Sequence, residues 1–333
     1  MGLENGKIIN LMKSKIQLLA GDASFRKFYR FVDGKKNQII VLAQKEKYKN
    51  LVAYSAVNKF LRGKKILAPK LYDFNYSKGM IIIEDFGDIS FYKEILKRKN
   101  KFAVYKKLIN LLIKIQKIKT KKKIKSFIRK SHVIHKYSNK YLHEESDLFF
   151  DWYLPLFFKK KKVKKIKKEI KIILSKLYNK LYFKNNFFVH RDFHCQNLIK
   201  VGKNVAVIDS QDALIGNPAY DLVSLVDDVR IKTSHKIKNK IYDYYLNKSP
   251  RNITINSKKF LSDFNILSVQ RSLKIIGIFS RLFIRDNKKI FLKYIPYAWR
   301  LLDLRMSSET FVELRKILNA NIPKKIKRKK IFK

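Results

Sequence analysis

One stretch of the chain carries the acidic side chains that a reactive centre needs. Between His190 and Asp228 lie six acidic and three basic residues, whereas the whole 333-residue chain has 77 Lys+Arg against 26 Asp+Glu and a formal charge of +51. Carboxylates grouped with a histidine and an asparagine are typical of divalent-cation and proton-transfer sites. This stretch is therefore the first candidate for a reactive centre.

Two patterns inside the stretch have the spacing of a catalytic loop and a metal site. Residues 190–197 read H-R-D-x-x-x-x-N, and Asp209 follows twelve residues after Asn197. Phosphoryl transfer needs a carboxylate that accepts the proton of the attacking hydroxyl, and oxygen ligands that hold magnesium on the triphosphate. The loop Asp, its Asn and an Asp that ends a neighbouring strand have this arrangement. We predict that Asp192 is the catalytic base and that Asn197 and Asp209 bind Mg²⁺ in an ATP-dependent reaction.

Two simpler interpretations apply to parts of this motif. A four-residue H-R-D-x match alone would be equally compatible with a structural Arg191–Asp192 pair, but the full pattern with its flanking apolar runs favours catalysis. His194 has two open roles, since a histidine in such a loop either contacts the acceptor or phosphate or makes structural hydrogen bonds.

The elements before the motif are mostly predicted strands. Alternating apolar residues over 25–31, a turn at Asp33-Gly34 and the apolar run 38–43 predict a β-hairpin. A helix is predicted over 51–61, an extended segment over 68–72, and a fully buried strand over 80–83. We place a lobe boundary at residue 88, after which helical periodicity begins.

The remainder is predicted to be mainly helical. Apolar residues recur every three or four positions over 102–115, 159–180, 265–284 and 293–305, while 187–189 and 205–208 are short strand candidates. The chain is therefore predicted to be an α+β protein with a small β-rich N-lobe, residues 1–88, and a larger, mainly helical C-lobe, residues 89–333.

Composition excludes several classes of protein. Hydrophobic residues make up 46% of the chain, which excludes global disorder, and the single cysteine, Cys195, excludes a disulfide framework and a Cys-based zinc site. The N-terminus lacks a signal-peptide pattern and no segment is long and apolar enough to span a membrane, so we expect a cytoplasmic protein. The positive charge has two explanations, the amino-acid usage of an AT-rich genome or contact with nucleic acid, and we favour the first.

The motifs resemble the aminoglycoside phosphotransferase and choline-kinase-like superfamily, and within it the anomeric N-acetylmuramate/N-acetylglucosamine kinases of bacterial cell-wall recycling. The resemblance rests on GDASFRKFYR (21–30), IEDFG (83–87), the segment 189–225 with IDSQDALIGNPAYDLVSL, and the segment 270–305. It implies a two-lobed protein-kinase-like fold, with ATP, Mg²⁺ and a sugar hydroxyl as reactants. It also implies a phosphate-covering turn at 21–25, backbone hydrogen bonds to adenine at 84–86, and support of the catalytic loop by Asp221.

The predicted site residues fall into groups by role. Nucleotide-binding residues are Gly21, Asp22, Ala23, Ser24, Phe25, Lys45, Glu84 and Phe86; acceptor-binding residues are His194, Gln211, Asp212 and Arg271; residues that support the loop are Arg191 and Asp221. Two departures from the family pattern stand out. Ser210 replaces the usual phenylalanine after the metal aspartate, which we expect to loosen the packing beneath Asp209. The usual strand lysine has two candidate substitutes, Lys45 and Arg26.

The segment 264–285 bears a basic face formed by Arg271, Lys274, Arg281 and Arg285. Such a face is either solvated, as expected in a lysine-rich protein, or a wall of the acceptor pocket suited to the lactyl carboxylate of N-acetylmuramate.

Three alternatives for function remain open at this point. The first is an anomeric amino-sugar kinase. The second is an aminoglycoside or other small-molecule kinase with the same machinery, because fold does not determine the acceptor. The third is an inactive kinase fold that serves as a binding module, against which the intact Asp192, Asn197 and Asp209 argue. We expect no specific nucleic-acid partner, and the oligomeric state is not readable from these residues.

Overall fold

The computed structural model describes residues 16–19, 26–33, 36–43, 48–127 and 131–328. Contacts divide the chain into two compact units, one formed by Met1–His135 with His190–Ile215, the other by Lys136–Val189 with Gly216–Lys333. The lobe boundary at residue 88 stays a prediction.

The first unit contains a five-stranded antiparallel sheet with the strand order β1-β2-β3-β5-β4. Its strands are β1 (Gln17–Leu19), β2 (Lys27–Asp33), β3 (Lys36–Leu42), β4 (Leu71–Asn75) and β5 (Met80–Glu84). The predicted hairpin is confirmed, because β2 and β3 pair in register from Lys27 opposite Leu42 to Asp33 opposite Lys36. The predicted helix over 51–61 is also confirmed, as α1 (Tyr48–Arg62).

The two faces of the sheet bury different residues. Val41, Ile81 and Ile83 pack on one face with Leu51 and Tyr54 of α1. Successive side chains of a strand point to opposite faces, so a separate set, Phe31, Ile40 and Ile82, is buried on the other face. Helix α1 is therefore packed on one apolar face of the sheet.

The rest of the first unit comprises helices and short hairpins. These are α2 (Phe91–Lys97), α3 (Lys101–Gln116), the paired β6 (Lys123–Ile124) and β7 (His132–Val133), and the paired β9 (Leu198–Val201) and β10 (Asn204–Val207). The β9–β10 hairpin is fastened by backbone hydrogen bonds from Lys200 N to Ile89 O and from Val207 N to Leu67 O, both 2.8 Å. Strand β9 was not predicted, because its four residues include Lys200 and form neither a continuous apolar run nor a clear alternation.

The second unit is mainly helical. Its helices are α4 (Asn139–Leu148), α5 (Lys160–Asn179), α6 (Ala219–Val226), α7 (His235–Lys248), α8 (Arg251–Ile255), α9 (Ser257–Asp286), α10 (Ile295–Arg305), α11 (Val312–Asn321) and α12 (Lys324–Arg328). The unit also contains β8 (Phe187–Val189) and the π-helical turn Phe149–Tyr153, while β11 (Leu214–Gly216) crosses the division between the units.

Helix α9 is the central helix of this unit and is 30 residues long. At Gly277 this helix lies directly against the backbone of Leu148. A Cβ at this position would lie 2.3 Å from the Leu148 carbonyl carbon, so a larger residue would not fit. The predicted helical segments over 159–180, 265–284 and 293–305 correspond to α5, α9 and α10, the last preceded by the 3-10 turn Lys289–Tyr294. In the described ranges, no helix is long and apolar enough to cross a membrane.

Candidate active site

The H-R-D loop, residues 190–197, lies wholly within the first unit and is held by its own backbone. The amide of His194 donates to the carbonyl of Asp192, and the amide of Asn197 donates to the carbonyl of His194, each at 2.9 Å. The chain then passes through the 3-10 turn Cys195–Asn197 into β9. This tight course keeps Asp192 and Asn197 on one compact turn.

Ile208 joins the loop to the residue that follows β10. Because Leu198 pairs with Val207, the neighbouring Asn197 and Ile208 come together, and the Ile208 amide donates to the Asn197 carbonyl at 3.0 Å. The carbonyl of Ile208 accepts from Nε2 of the fully buried His190, also at 3.0 Å. Both ends of the loop are therefore bonded to the residue directly before Asp209.

Two residues of this constellation have left-handed backbone conformations. Arg191 has φ 77° and Asp209 has φ 65°, and Lys65 and Asn287 are the other non-glycine residues with positive φ in the described ranges. A conformation of this kind costs about 1–3 kcal/mol and persists where its surroundings enforce it. Arg191 lies in the H-R-D loop and Asp209 lies just after β10.

Asp209 has one strong side-chain partner among the described residues. Nη2 of Arg26 lies 2.5 Å from its Oδ1, and Nη1 of Arg26 donates to Gln211 Oε1 at 2.9 Å. The guanidinium also lies near the rings of Phe28 and Tyr54, 5.7 and 5.8 Å from their centroids. Burial and the negative charge of Asp209 raise the pKa of Tyr54 to about 12, so this phenol stays protonated at neutral pH.

Ser210 anchors the strand end to helix α1. Its Oγ donates to Oδ1 of Asn58 at 2.6 Å, and both residues are buried. A buried hydrogen bond to α1 therefore takes the place of an apolar contact at this position, and the looser packing expected beneath Asp209 stays a prediction.

The donor set fits a hard divalent cation. The amide nitrogen of Asn197 donates to the Asp192 carbonyl at 3.1 Å, which orients the amide and leaves its oxygen as an acceptor. Asp209 adds a carboxylate that is one third exposed, with 34% of its side chain accessible. Magnesium takes oxygen ligands, usually one or two from the protein with the rest from water and phosphate. The residues present therefore fit Mg²⁺ bound together with a nucleotide.

The segment after β5 is held by one arginine. Arg30 donates from Nε and Nη2 to Asp85 at 2.5 and 3.1 Å, and from Nη1 and Nη2 to Asp88 at 2.8 and 2.9 Å. This places Phe86 between two fixed carboxylates. In the described part of the chain we find no acceptor for the Phe86 amide, whereas the Glu84 amide donates to the Lys70 carbonyl at 2.9 Å.

Other predicted residues near the loop form a chain of polar contacts. Gln211 Nε2 donates to Asp212 Oδ2 at 3.1 Å, and Nη1 of Arg191 lies 3.8 Å from Oδ1 of Asp212. His194 is buried, with Nε2 3.5 Å from the side-chain amide nitrogen of Asn197, which donates in this contact. The predicted phosphate-covering residues Gly21, Asp22, Ala23, Ser24 and Phe25 and the candidate cation Lys45 lie outside the described residues.

Comparison with known proteins identifies the family. Residues 15–251 match the APH family, the phosphotransferase enzyme family. This chain belongs to that family. The phosphotransferase is 26% identical over 308 residues to an N-acetylmuramate/N-acetylglucosamine kinase of Pseudomonas aeruginosa, covering 91% of this chain and 87% of the relative. It is also 26% identical over 281 residues to an enzyme of the same name from Caulobacter vibrioides, covering 83% and 76%.

A solved structure supports the fold. An ADP-bound aminoglycoside phosphotransferase, APH(2'')-Ib, aligns with a TM-score of 0.57 at 14% identity, covering 90% of this chain and 97% of the other. The protein-kinase-like fold predicted from the resemblance is thereby confirmed. So is the prediction of a phosphotransferase with a hydroxyl acceptor.

In the phosphotransferase, Asp221 and the predicted basic face of α9 lie in the second unit. Asp221 lies in the first turn of α6 and is fully buried. Arg271 and Lys274 on α9 are only 4% and 6% exposed, so the solvated-face interpretation is wrong for both. Lys274 is neutralised by Glu145 at 2.8 Å, while the Arg271 guanidinium lies 5.7 Å from the Tyr220 ring centroid. Arg285 pairs with Asp286 instead.

Three residues that support the predicted site were not predicted from the sequence. Asn58, Tyr54 and Arg30 were not singled out, although each contacts a predicted site residue or its flanking segment. Asn58 had one usable signal, because it is a polar residue among Val57, Leu61 and the other apolar side chains of α1.

Proposed function

We propose that this phosphotransferase is an ATP- and Mg²⁺-dependent sugar kinase that phosphorylates the anomeric hydroxyl of N-acetylmuramate or N-acetylglucosamine, in cell-wall recycling in the cytoplasm. One observation carries the catalytic part of the proposal. Ile208 joins both ends of the H-R-D loop to Asp209, so the carboxylate of a base and the oxygen ligands of a metal are held on one small framework. The names of the two relatives support the choice of acceptor.

Each residue has a distinct part in the proposed reaction. Asp192 orients the sugar hydroxyl and accepts its proton as the oxygen attacks the terminal phosphorus of ATP. Asn197 and Asp209 hold Mg²⁺, which neutralises charge on the phosphate oxygens when bound. The 84–86 segment supplies backbone hydrogen bonds to adenine, with the Phe86 amide as the donor.

The acceptor side of the proposal rests on Arg271. A buried guanidinium beside an aromatic ring is a strong site for a carboxylate, since its planar fork donates two parallel hydrogen bonds. N-acetylmuramate carries such a carboxylate on its lactyl group and N-acetylglucosamine does not. We therefore propose that Arg271 favours the acidic sugar.

The decisive experiment measures ATP consumption with N-acetylmuramate, N-acetylglucosamine, aminoglycosides and choline as separate acceptors. We expect turnover with the two amino sugars. The product should no longer react as a reducing sugar, because phosphate then occupies the anomeric oxygen. The Asp192→Asn enzyme, purified in parallel, gives the rate of ATP consumption by contaminating ATPases, and this rate is subtracted. Turnover only with aminoglycosides or choline would replace the acceptor, and no MgATP-dependent stabilisation at all would favour the inactive binding module.

A second measurement tests the acceptor residue. Arg271→Met keeps the apolar stem and removes the guanidinium, so the ratio of kcat/KM for N-acetylmuramate over N-acetylglucosamine should fall about 10- to 100-fold. General damage to the enzyme largely cancels in this ratio. An unchanged ratio would remove Arg271 from the acceptor site.

A further inference from the structure

We propose that Arg26 is a mobile counter-ion of the active site: it balances Asp209 in the nucleotide-free enzyme and moves to the nucleotide phosphates when MgATP binds. This would make Arg26 the phosphate-contacting cation in this chain. The inference rests on the proposed function, because it takes Asp209 as a metal ligand.

Arg26 contacts Asp209 with one terminal nitrogen and Gln211 with the other. Nη2 lies 2.5 Å from Oδ1, the Arg26 side chain is 10% exposed, and Gln211 Oε1 accepts from the second terminal nitrogen. The guanidinium thus orients the proposed metal ligand and balances its charge before any metal arrives.

Metal binding weakens this contact. A divalent cation bound by the Asp209 carboxylate would lie close to the guanidinium, and the two positive charges would repel each other. The cation would also take up the negative charge that holds Arg26 in place. Because Asp209 is a proposed metal ligand and Arg26 is not, Arg26 is the group that moves.

The destination of Arg26 follows from its place in the chain. It stands directly before β2 and directly after residues 21–25, the turn predicted to cover the phosphates. Phosphate oxygens share the magnesium ion with Asp209, so they are the nearest new anion for a guanidinium that gives up this carboxylate. The rings of Phe28 and Tyr54 keep the guanidinium near the site throughout.

Other arginines of the first unit have their own carboxylates. Arg30 is engaged by Asp85 and Asp88, Arg62 by Glu84, and Arg191 approaches Asp212. Among the described residues, Arg26 is the one cation hydrogen-bonded to Asp209.

The test compares Arg26→Met with Lys27→Met, two variants that remove the same charge from adjacent residues. Lys27 is exposed and has no carboxylate partner among the described residues, so it controls for net charge. Two affinities are measured for each protein by calorimetry: that of Mn²⁺ or Mg²⁺ alone, and that of the non-hydrolysable MgATP analogue. We expect Arg26→Met to bind the metal alone about tenfold more tightly and the nucleotide about 10- to 100-fold more weakly. Lys27→Met should match the wild type in both.

Opposite signs for the two ligands are what a counter-ion exchange requires. If both affinities fall together, or if neither changes, Arg26 is a structural residue and the proposal is wrong. Arg26→Lys provides a folded comparison, since it keeps the charge without the fork and should lie between the wild type and Arg26→Met for both ligands. The proposed function is tested separately with Asp209→Ala. If this variant binds metal and nucleotide as tightly as the wild type, Asp209 is not a metal ligand and the proposed function fails.

Discussion

Asp209 and Asp227 are both aspartates beside arginines, but their surroundings differ. Asp227 is 4% exposed and accepts hydrogen bonds from Lys238 at 2.9 Å, from Arg305 at 2.8 and 3.0 Å and from Ser268 at 2.7 Å. The carboxylate of Asp209 has Arg26 as its side-chain partner among the described residues, and the residue has a side chain 34% exposed and a left-handed backbone. A buried carboxylate with all its lone pairs engaged is structural, whereas a partly exposed one with spare lone pairs is available for a ligand.

Glu145 in the second unit repeats the structural pattern. It receives hydrogen bonds from Tyr137, Tyr220, Gln270 and Lys274, all of them buried. The chain therefore has buried carboxylates with every lone pair engaged and a partly exposed carboxylate in the candidate site. We expect substitution of the first kind to reduce stability and substitution in the candidate site to reduce activity.

The largest effect is expected at the catalytic base. Asp192→Asn removes the proton acceptor while leaving a side chain of nearly the same shape, so kcat should fall by about two to four orders of magnitude. Nucleotide affinity should stay within a few-fold and the melting temperature within about 2 °C, because we propose that Asp192 contacts the acceptor and not the nucleotide. Steady-state kinetics and nucleotide titration check both statements, and near-wild-type turnover would contradict the assignment.

The opposite behaviour is expected at Asp227. Asp227→Ala leaves Lys238 and Arg305 without their carboxylate in a buried site, and breaking such a pair costs about 3–5 kcal/mol of unfolding free energy. Turnover per folded molecule should stay close to that of the wild type. Urea denaturation measures the loss, with Asp243→Asn, an exposed aspartate of α7, as the matched control. Equal stability of the two variants would show that the Asp227 network is not structural.

The pH dependence of stability tests the same network. Burial alone would raise the pKa of Asp227, but the charges of Lys238 and Arg305 outweigh it and hold the pKa well below its usual range. The folded state therefore binds a proton less readily than the unfolded state, so this stabilisation is present above about pH 4 and is lost as the pH falls below it. Below pH 4, Asp227→Asn should show a shallower fall in unfolding free energy than the wild type.

Local pattern explains what was predictable from the sequence. The β2–β3 hairpin and helices α1, α3, α5 and α9 follow from alternation or helical spacing over seven residues or more. The grouping of Asp192, Asn197 and Asp209 was predictable because their residue types and spacing carry chemistry in one short segment, while their catalytic and metal-binding roles stay predictions.

Contacts between distant segments were not predictable in the same way. Arg26 meets Asp209 across 183 residues and Ser210 meets Asn58 across 152. Neither pair leaves a periodic signal, since each depends on how the sheet, α1 and the β9–β10 hairpin come together. For the same reason Arg271 and Lys274 read as a solvated face until their burial was known.

A smaller effect is expected at Ser210, which makes a buried structural hydrogen bond and also stands next to Asp209. Ser210→Ala removes the donor to the buried Asn58 oxygen, so the unfolding free energy should fall by about 1–3 kcal/mol. The same change frees the residue next to Asp209, and we expect the magnesium concentration for half-maximal rate to rise a few-fold. Ser77→Ala, an exposed serine of the β4–β5 turn, is the control for loss of a hydroxyl. A fall in stability with unchanged magnesium dependence would assign Ser210 to the fold alone.

The smallest effect is expected at an ion pair on the surface. Lys176 of α5 lies 3.2 Å from Glu313 of α11, and both side chains are more than half exposed, at 60% and 64%. Exposed pairs contribute about 0–1 kcal/mol, and removing one lysine also relieves repulsion in a chain with a formal charge of +51. The two contributions oppose each other, so Lys176→Met should change the unfolding free energy by less than about 0.5 kcal/mol, with no change in kcat. Urea denaturation in low and high salt checks this, because salt screens both contributions. A loss of several kcal/mol would mean that exposure does not separate structural from marginal ion pairs in this protein.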